Sequence, residues 1–518
     1  MKRKNLVSIA IAMALTTPAM AGGLLTNTNQ HVAFNRMMSR EASIGIDGVY
    51  YNPAGVVFMN EGHHLAINWQ LAFQTRTIKN QYPMFGNNMN NASVEHTFKG
   101  NAFAPVIPSF QYAYNKGNWS FQANFALTGG GGKCTFDDGL GSFEKIVAET
   151  AMGACQLAGA IDAAGQAYIP GYQPMFSSDQ MFGTAGKYSY ESYMKGRQYY
   201  YGLSVGAAYK FNNHFSAYAG VRGVYAQTNY YGYVRNISVG NLPLYQVLDP
   251  TKTDAADIEL NCDQAGVGFT PMLGVDFKTG RWNFSAKYEF KTRMRLENKS
   301  VNRAPSIGNL DANLKNAFVH AGVPDAMADA VLTSPVVAAT TAALKTQFDQ
   351  KLGEAVGEYE DGKKIAADIP AYLTLGAGYS PVDALRINVG FHWFDDTHAT
   401  SYNNRHKLLD RGTIEWNAGA EVDVNKKLTV SAGWQNTNYG LSDEYMDDKS
   451  FVVSSNSVGG GACIHLSEKM DLNVAYFHTF YQHKKTSEEV NLGTTTLNYN
   501  SDFTRNNNVF AVGVDFNF

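Results

Sequence analysis

Residues 412–437 read GTIEWNAGAEVDVNKKLTVSAGWQNT, and their alternation decides the fold class. Ile414, Trp416, Ala418, Ala420, Val422 and Val424 share one parity, while Glu415, Asn417, Gly419, Glu421, Asp423 and Asn425 share the other. After Asn425-Lys426 the split resumes, with Leu428, Val430, Ala432 and Trp434 opposed to Thr429, Ser431, Gly433, Gln435 and Thr437. A period of two over so many residues is that of a β-strand with two unlike faces. One face is wholly apolar and the other is polar or glycine.

The same split recurs in 281–295, where Trp282, Phe284, Ala286, Tyr288 and Phe290 oppose Asn283, Ser285, Lys287, Glu289, Lys291, Arg293 and Arg295. Extending the test along the chain predicts strands near 63–78, 104–114, 118–128, 189–210, 214–233, 264–278, 281–297, 369–380, 384–396, 412–425, 427–437, 450–466, 469–484 and 504–518. Their connections alternate between tight turns, such as Asn115-Lys116-Gly117 and Thr279-Gly280, and longer loops, with very long ones at 129–188, 234–263 and 298–368. Short turns at one rim and long loops at the other are the mark of a transmembrane barrel, in which a closed sheet pairs every backbone group. The expected fold is therefore all-β: a fourteen-stranded antiparallel transmembrane β-barrel. Aromatic placement agrees, since Tyr199, Tyr201, Tyr209 and Phe211 bracket Leu203, Val205 and Ala207 on one face. The last strand alternates through Phe510, Val512, Val514, Phe516 and Phe518, and a terminal Phe there resembles the signal by which outer-membrane barrels are recognised by the assembly machinery.

Composition is compatible with this. The 518 residues are 45% hydrophobic and 17% charged, with 30 Tyr, 30 Phe and 49 Gly, and the mean hydropathy of -0.26 excludes a bundle of apolar helices. Lys2, Arg3 and Lys4, the apolar run from Leu6 to Leu15 and Ala19-Met20-Ala21 predict a signal peptide over 1–21. Its removal before Gly22 would move the formal charge from -3 to -6, an acidic balance that argues against nucleic acid. Four Cys in an exported chain of this length make no disulfide framework and match no zinc spacing. One surface disulfide, Cys134 with Cys155, and a buried Cys463 are expected; Cys262 lies in another irregular segment. No metal or cofactor is expected.

Residues 22–62 precede the first strand and form the expected N-terminal hatch (plug), with 63–518 as the barrel. In Tyr51-Asn52-Pro53-Ala54-Gly55, Asn52 can cap a helical turn and Pro53 is preset for the first helical position. Together with Ser43, Ile44, Gly45, Asp47 and Gly48 upstream and fourteen strands downstream, this resembles the FadL/TodX family of outer-membrane long-chain fatty acid and hydrocarbon transporters, whose hatch carries an Asn-Pro-Ala motif. The resemblance implies a hatch inside the lumen and passive passage of a hydrophobic small molecule from a groove in the external loops to a lumenal pocket and sideways through the wall. It implies a bacterial outer-membrane location, outer-membrane lipid and the barrel-assembly machinery as partners, and a monomer. Of the family's residues only Asn52, Pro53 and Ala54 carry over.

The loops are unusual in their own right. Ser334-Pro335 reads as a helix start followed by Val336, Leu344 and Phe348, and Leu310–Val323 reads as a second helical stretch containing Leu314 and Phe318. With Phe176 and Phe182 of the 129–188 loop, which Gly129–Gly132 is expected to open, these residues could build an apolar groove or simply pack on one another. Arg222, Lys287, Lys291 and Arg293 fall on the polar parity of their strands and are candidates for holding a carboxylate, the alternative being an interior charge ladder with Glu289, Glu415, Glu421 and Asp423. An enzyme is not expected: His392 with Asp395 and Asp396, or His478 and His483, has no Gly-x-Ser-x-Gly or His-Glu-x-x-His around it. A general porin and a surface adhesion or structural barrel are the competing functions.

Overall fold

The computed structural model describes residues 24, 26–492 and 495–518, without the side chains of 347 and 349–356. The expected signal peptide, 1–21, lies outside the described residues. Fourteen antiparallel strands close on themselves. In chain order they are β1 Gly62–Gln81, β2 Glu95–Lys116, β3 Trp119–Phe136, β4 Tyr188–Lys210, β5 Phe215–Val239, β6 Ile258–Thr279, and β7 in two pieces, Trp282–Glu289 and Arg295–Ser300. Then follow β8, also in two pieces (Lys364–Ala366 and Tyr372–Val382), β9 Leu385–Phe394, β10 Leu409–Asn425, β11 Leu428–Leu441, β12 Ser455–Ser467, β13 (Met470–Tyr481 and Lys484–Asn491) and β14 Thr496–Asn517. Closure comes from β1 pairing with β14 in one unbroken register, His64↔Asn517 through Gln81↔Asn500. At the rim His63 N donates to Phe518 O (2.7 Å) and Phe518 N to His63 O (2.9 Å).

The two faces sort as alternation demands. Trp69, Phe121, Leu203, Phe269, Trp416 and Phe510 are exposed on the outside, whereas Gln74, Gln111, Asn124, Glu289, Glu415 and Gln435 are buried inside. A soluble protein would have this inverted, and an apolar exterior belt around a polar interior is stable only in lipid. The strands run beyond the predicted bounds at the loop end: β2 begins at Glu95, β6 at Ile258 and β14 at Thr496. Above the lipid the outer face becomes polar, so the hydrophobic alternation fades while backbone pairing continues.

Two expectations are corrected here. Gly129–Gly132 does not open a loop but lies in β3, which continues to Phe136. That places Cys134 on the inner face of a strand and Cys155 on a helix; all four cysteines are free and buried, so there is no Cys134–Cys155 disulfide.

The long loops form a helical cap. Helix α3 (Gly141–Tyr168) has no capping signal at its start, since its N-cap, Leu140, supplies no side-chain bond. The short α4 is Tyr245–Leu248; α5 (Leu310–His320) and α7 (Pro335–Val356) stand where expected, and α6 (Asp325–Leu332) lies between them.

The N-terminal segment fills the lumen. It carries α1 (Val32–Met37), α2 (Gly48–Tyr51) and one 3-10 turn, Gly55–Phe58. Gly419, Gly433 and Gly459 stand directly opposite one another across β10, β11 and β12. This row accepts the backbone of α1: a Cβ at any of the three would overlap Met37 O or Asn35 O. The glycines on the polar parity of 412–437 are thus the floor on which the plug rests.

Candidate functional site

The plug is held by polar bonds to inward-facing strand residues. Gln70 Nε2 donates to Asn29 O (2.7 Å), Ser109 Oγ and Gln111 Nε2 donate to Gln30 O (2.6 and 2.9 Å), and Val32 N donates to Asn68 Oδ1 (3.1 Å). Arg36 Nη1 meets Glu421 at 2.9 Å; Arg40 meets Asp47 at 2.7 Å and Glu421 at 3.3 Å. Glu41 and Glu415 grip the two ring nitrogens of His392, each at 2.7 Å, which gives His392 an anchoring position rather than a catalytic one. Burial alone would raise the Glu41 and Asp47 carboxyls, but His392 and Arg40 beside them hold both below the usual carboxylate range.

The Asn52-Pro53-Ala54-Gly55 segment docks on the opposite wall. Asn52 Oδ1 accepts Gly55 N (3.1 Å), closing the turn, while Asn52 Nδ2 donates to Asp276 Oδ2 (2.6 Å) on β6. Pro53 O accepts Gln122 Nε2 (2.7 Å) and Ala54 O accepts Ser216 Oγ (2.6 Å). A Cβ on Gly55 would overlap the Asn52 amide, so the motif's fourth position admits no side chain.

The wall itself is interrupted beside this plug. Between the pairs Phe103↔Lys133 and Ser109↔Ala126, β2 and β3 do not pair. Sequence explains why. Pro105 and Pro108 have no N–H to give, and Gly129–Gly132 on the facing strand have no side chains to fill the space. The start of the plug takes up the free carbonyls: Asn27 N donates to Thr128 O (2.9 Å), and Asn27 Nδ2 donates to Leu127 O (3.2 Å) and Gly130 O (2.7 Å). On the lumenal side the interruption is lined by Ala104, Ile107 and Leu127, which pack in one apolar cluster with Phe34, Tyr50 and Tyr51 of the plug. Outside it, Phe103 and Val106 face lipid. The arrangement places apolar residues on the lumenal and outer sides of a stretch where β2 and β3 do not bond to each other and Asn27 of the plug bonds to β3 in place of β2.

Above the plug lies a cavity of ≈ 440 Å³ lined in part by Leu24, Tyr200, Tyr230, Asp396, Arg405 and Leu409. Burial lifts the Asp396 carboxyl to about 6, although it accepts a hydrogen bond from Thr413 N. The loop residues singled out from sequence do meet: Phe176 and Phe318 stack edge to face at 4.9 Å, and Phe182, Leu344 and Phe348 line one apolar space between α3, α5 and α7. That space is only ≈ 60 Å³, so in this state the loop groove is filled by its own side chains.

The four candidate cations separate. Arg222 binds Glu289 bidentately (2.6 and 3.0 Å), and Lys287 Nζ reaches the same carboxylate at 2.9 Å and Tyr50 O at 2.7 Å. Both belong to an interior ion cluster that also holds the plug. Lys291 Nζ donates to His398 O (3.0 Å), above the spanning region. Arg293 is exposed on the outer face, because β7 has one residue more than β6 between the pairs Met272↔Glu289 and Ala265↔Glu297. This single extra residue reverses the parity beyond Phe290, so Arg293 does not line the lumen. Sequence reasoning missed the anchors Asn27, Glu41 and Asp276; an acidic residue on the polar parity of a strand was the available signal for Asp276. At the periplasmic mouth Cys463, His465 and Asp471 bring their donor atoms within 4.8 Å of one another, with His465 Nδ1 already bonded to Asp471 at 2.7 Å.

No family model and no curated protein matches this chain. Among solved structures, a FadL homologue from Pseudomonas aeruginosa superposes with a TM-score of 0.57 over 96% of this chain and 100% of its own, at 14% identity. The deltaS2S3 mutant of TodX, a monoaromatic hydrocarbon channel, superposes with a TM-score of 0.51 over 94% of this chain and 98% of its own, at 13% identity. The chain therefore has the FadL/TodX fold, a barrel of fourteen strands around an N-terminal hatch.

Proposed function

We propose that the protein carries hydrophobic small molecules, long-chain fatty acids or compounds like them, passively across the outer membrane, leaving through the wall between β2 and β3. The observation that carries this reading is the pairing of a plugged lumen with a stretch of wall, flanked by apolar residues, where β2 and β3 do not bond to each other. A water-soluble solute needs a continuous aqueous path, which the hatch fills; a greasy one needs only apolar surface and an outlet into lipid. A chain of a dozen methylenes gains about 0.8 kcal/mol for each CH₂ it buries, so burial along this stretch supplies the affinity. The monoaromatic hydrocarbon channel with the same fold supports the substrate class in outline. As a monomer the barrel has the whole β2–β3 face available to lipid.

Restoring the missing donors tests the route. Replacing Pro105 and Pro108 with Thr lets β2 bond to β3 across this stretch, and uptake of oleate into cells dependent on this protein should fall several-fold while the barrel stays heat-modifiable. Undiminished uptake would exclude the lateral outlet. A large conductance for small ions in the unaltered protein would instead favour the general-porin reading.

A further inference from the structure

We propose that Arg76 and Arg505 form a receptor for one carboxylate, so that the transported compound is an acid rather than a neutral hydrocarbon; this rests on the transport reading above and sharpens it. The two residues stand directly opposite each other where β1 pairs with β14. Both are buried, at 0% and 5% exposure. Arg76 Nε donates to Gln74 Oε1 at 3.2 Å and the Tyr481 hydroxyl lies beside the Arg505 guanidinium as a hydrogen-bonding neighbour, but Nη1 and Nη2 of Arg76 have no hydrogen-bond partner and neither guanidinium meets a carboxylate among the described residues.

Each of the other buried arginines has a carboxylate: Arg36 and Arg40 share Glu421, and Arg222 has Glu289. The groups that face the unpaired two are Cys134, Tyr439, Tyr481 and the ring of Phe451, 5.0 Å from the Arg505 guanidinium. None of these is a carboxylate. Two guanidinium ions side by side in a protein interior repel each other and have lost water, an arrangement that an anion accepted by both forks relieves. A carboxylate fits that geometry, presenting two oxygens to planar donors.

Position supplies the rest of the ligand. One turn of the alternation toward the loops, Ile78 follows Arg76 and Phe503 precedes Arg505, and both belong to the large apolar cluster that includes Phe98, Phe136 and the inner side of α3. Toward the periplasm the inward residues are Gln74 and Asn507, and beyond them the hatch. The pair thus marks the boundary between an apolar compartment and a polar one, where the head of an amphiphile comes to rest with its tail toward the loops.

The test uses the full-length protein in detergent, with oleate and methyl oleate as probes and calorimetry as the readout. The unaltered protein should bind oleate at least about tenfold more tightly than its ester. Arg76→Gln or Arg505→Gln should remove that preference by weakening oleate, with methyl oleate unchanged; Arg505→Lys, which keeps the charge but not the fork, should fall between. Heat-modifiability reports whether each barrel is intact. Equal loss for acid and ester, or no loss for either, overturns the receptor and leaves the transport reading standing. Failure of both probes to bind the unaltered protein overturns both readings. If acetate alone stabilises the barrel as much as oleate does, the pair is a small-anion site and the amphiphile is excluded.

Discussion

Two pairs of cations face the lumen of this barrel, and they differ in what answers them. Arg222 and Lys287, on β5 and β7, close on Glu289 and on the hatch carbonyl of Tyr50. Arg76 and Arg505, on β1 and β14, have no carboxylate among the described residues. The first pair is complete without a ligand and acts as structure, clamping the plug to the wall. The second is incomplete, and incompleteness in a buried charge is what a binding site looks like before it is filled. Charge on the lumenal parity therefore says little by itself; the partner decides.

The largest effect that separates the two pairs should come from Glu289→Gln. It strands two buried cations, so the barrel should lose about 3–5 kcal/mol of stability against urea; a change under 1 kcal/mol would place that cluster in contact with bulk water. Arg76→Gln and Arg505→Gln should do the reverse in the absence of ligand, leaving stability unchanged or raising it by about 1–3 kcal/mol, because each removes an unanswered buried ion. A loss as large as that of Glu289→Gln would show the two pairs to be alike. Asn52→Ala removes the turn closure and the bond to Asp276. It should cost about 1–2 kcal/mol and raise ion conductance through a loosened hatch.

The smallest effect is a pH dependence of opposite sign in plug and cap. Asp396 has its folded pKa raised to about 6, so its favourable contribution is fully present below the ordinary carboxylate value of about 4 and is lost as pH rises to about 6. Protease cleavage within 395–408 should increase over that interval and level off above it, and Asp396→Asn should abolish the change. Glu41 and Asp47 are held low, so the anchoring they contribute is present above about pH 4 and is lost only as pH falls through their depressed values. Hatch release measured by conductance should begin only in more acid solution than that.

How far the sequence reaches follows from the same comparison. The wall is legible because lipid on one side and plug on the other impose a strict period of two, as in 412–437. Even the hatch floor is visible there as glycines on the polar parity, though their role needs α1 in place. Arg293 stands outside the lumen because parity is a local count, and one extra residue between Phe290 and Arg295 reverses it without changing composition. Cys134 looks like a loop residue for a related reason: Gly129–Gly132 has the composition of a loop but pairs with β4. Arg76 and Arg505 could not be joined at all, since they stand 429 positions apart in the chain and only closure of the first strand on the last makes them neighbours. The interruption at Pro105 and Pro108 was in view, but its meaning depends on which strand faces it.

The central claim is that the barrel is closed to water and open to a hydrophobic acid. Liposomes holding the purified protein test it directly, with oleate transfer and small-ion conductance measured on the same preparation. The structure predicts protein-dependent oleate transfer with little ion conductance, and a rise in conductance when 22–60 are deleted. Porin-like conductance by the intact protein, without protein-dependent oleate transfer, would contradict it.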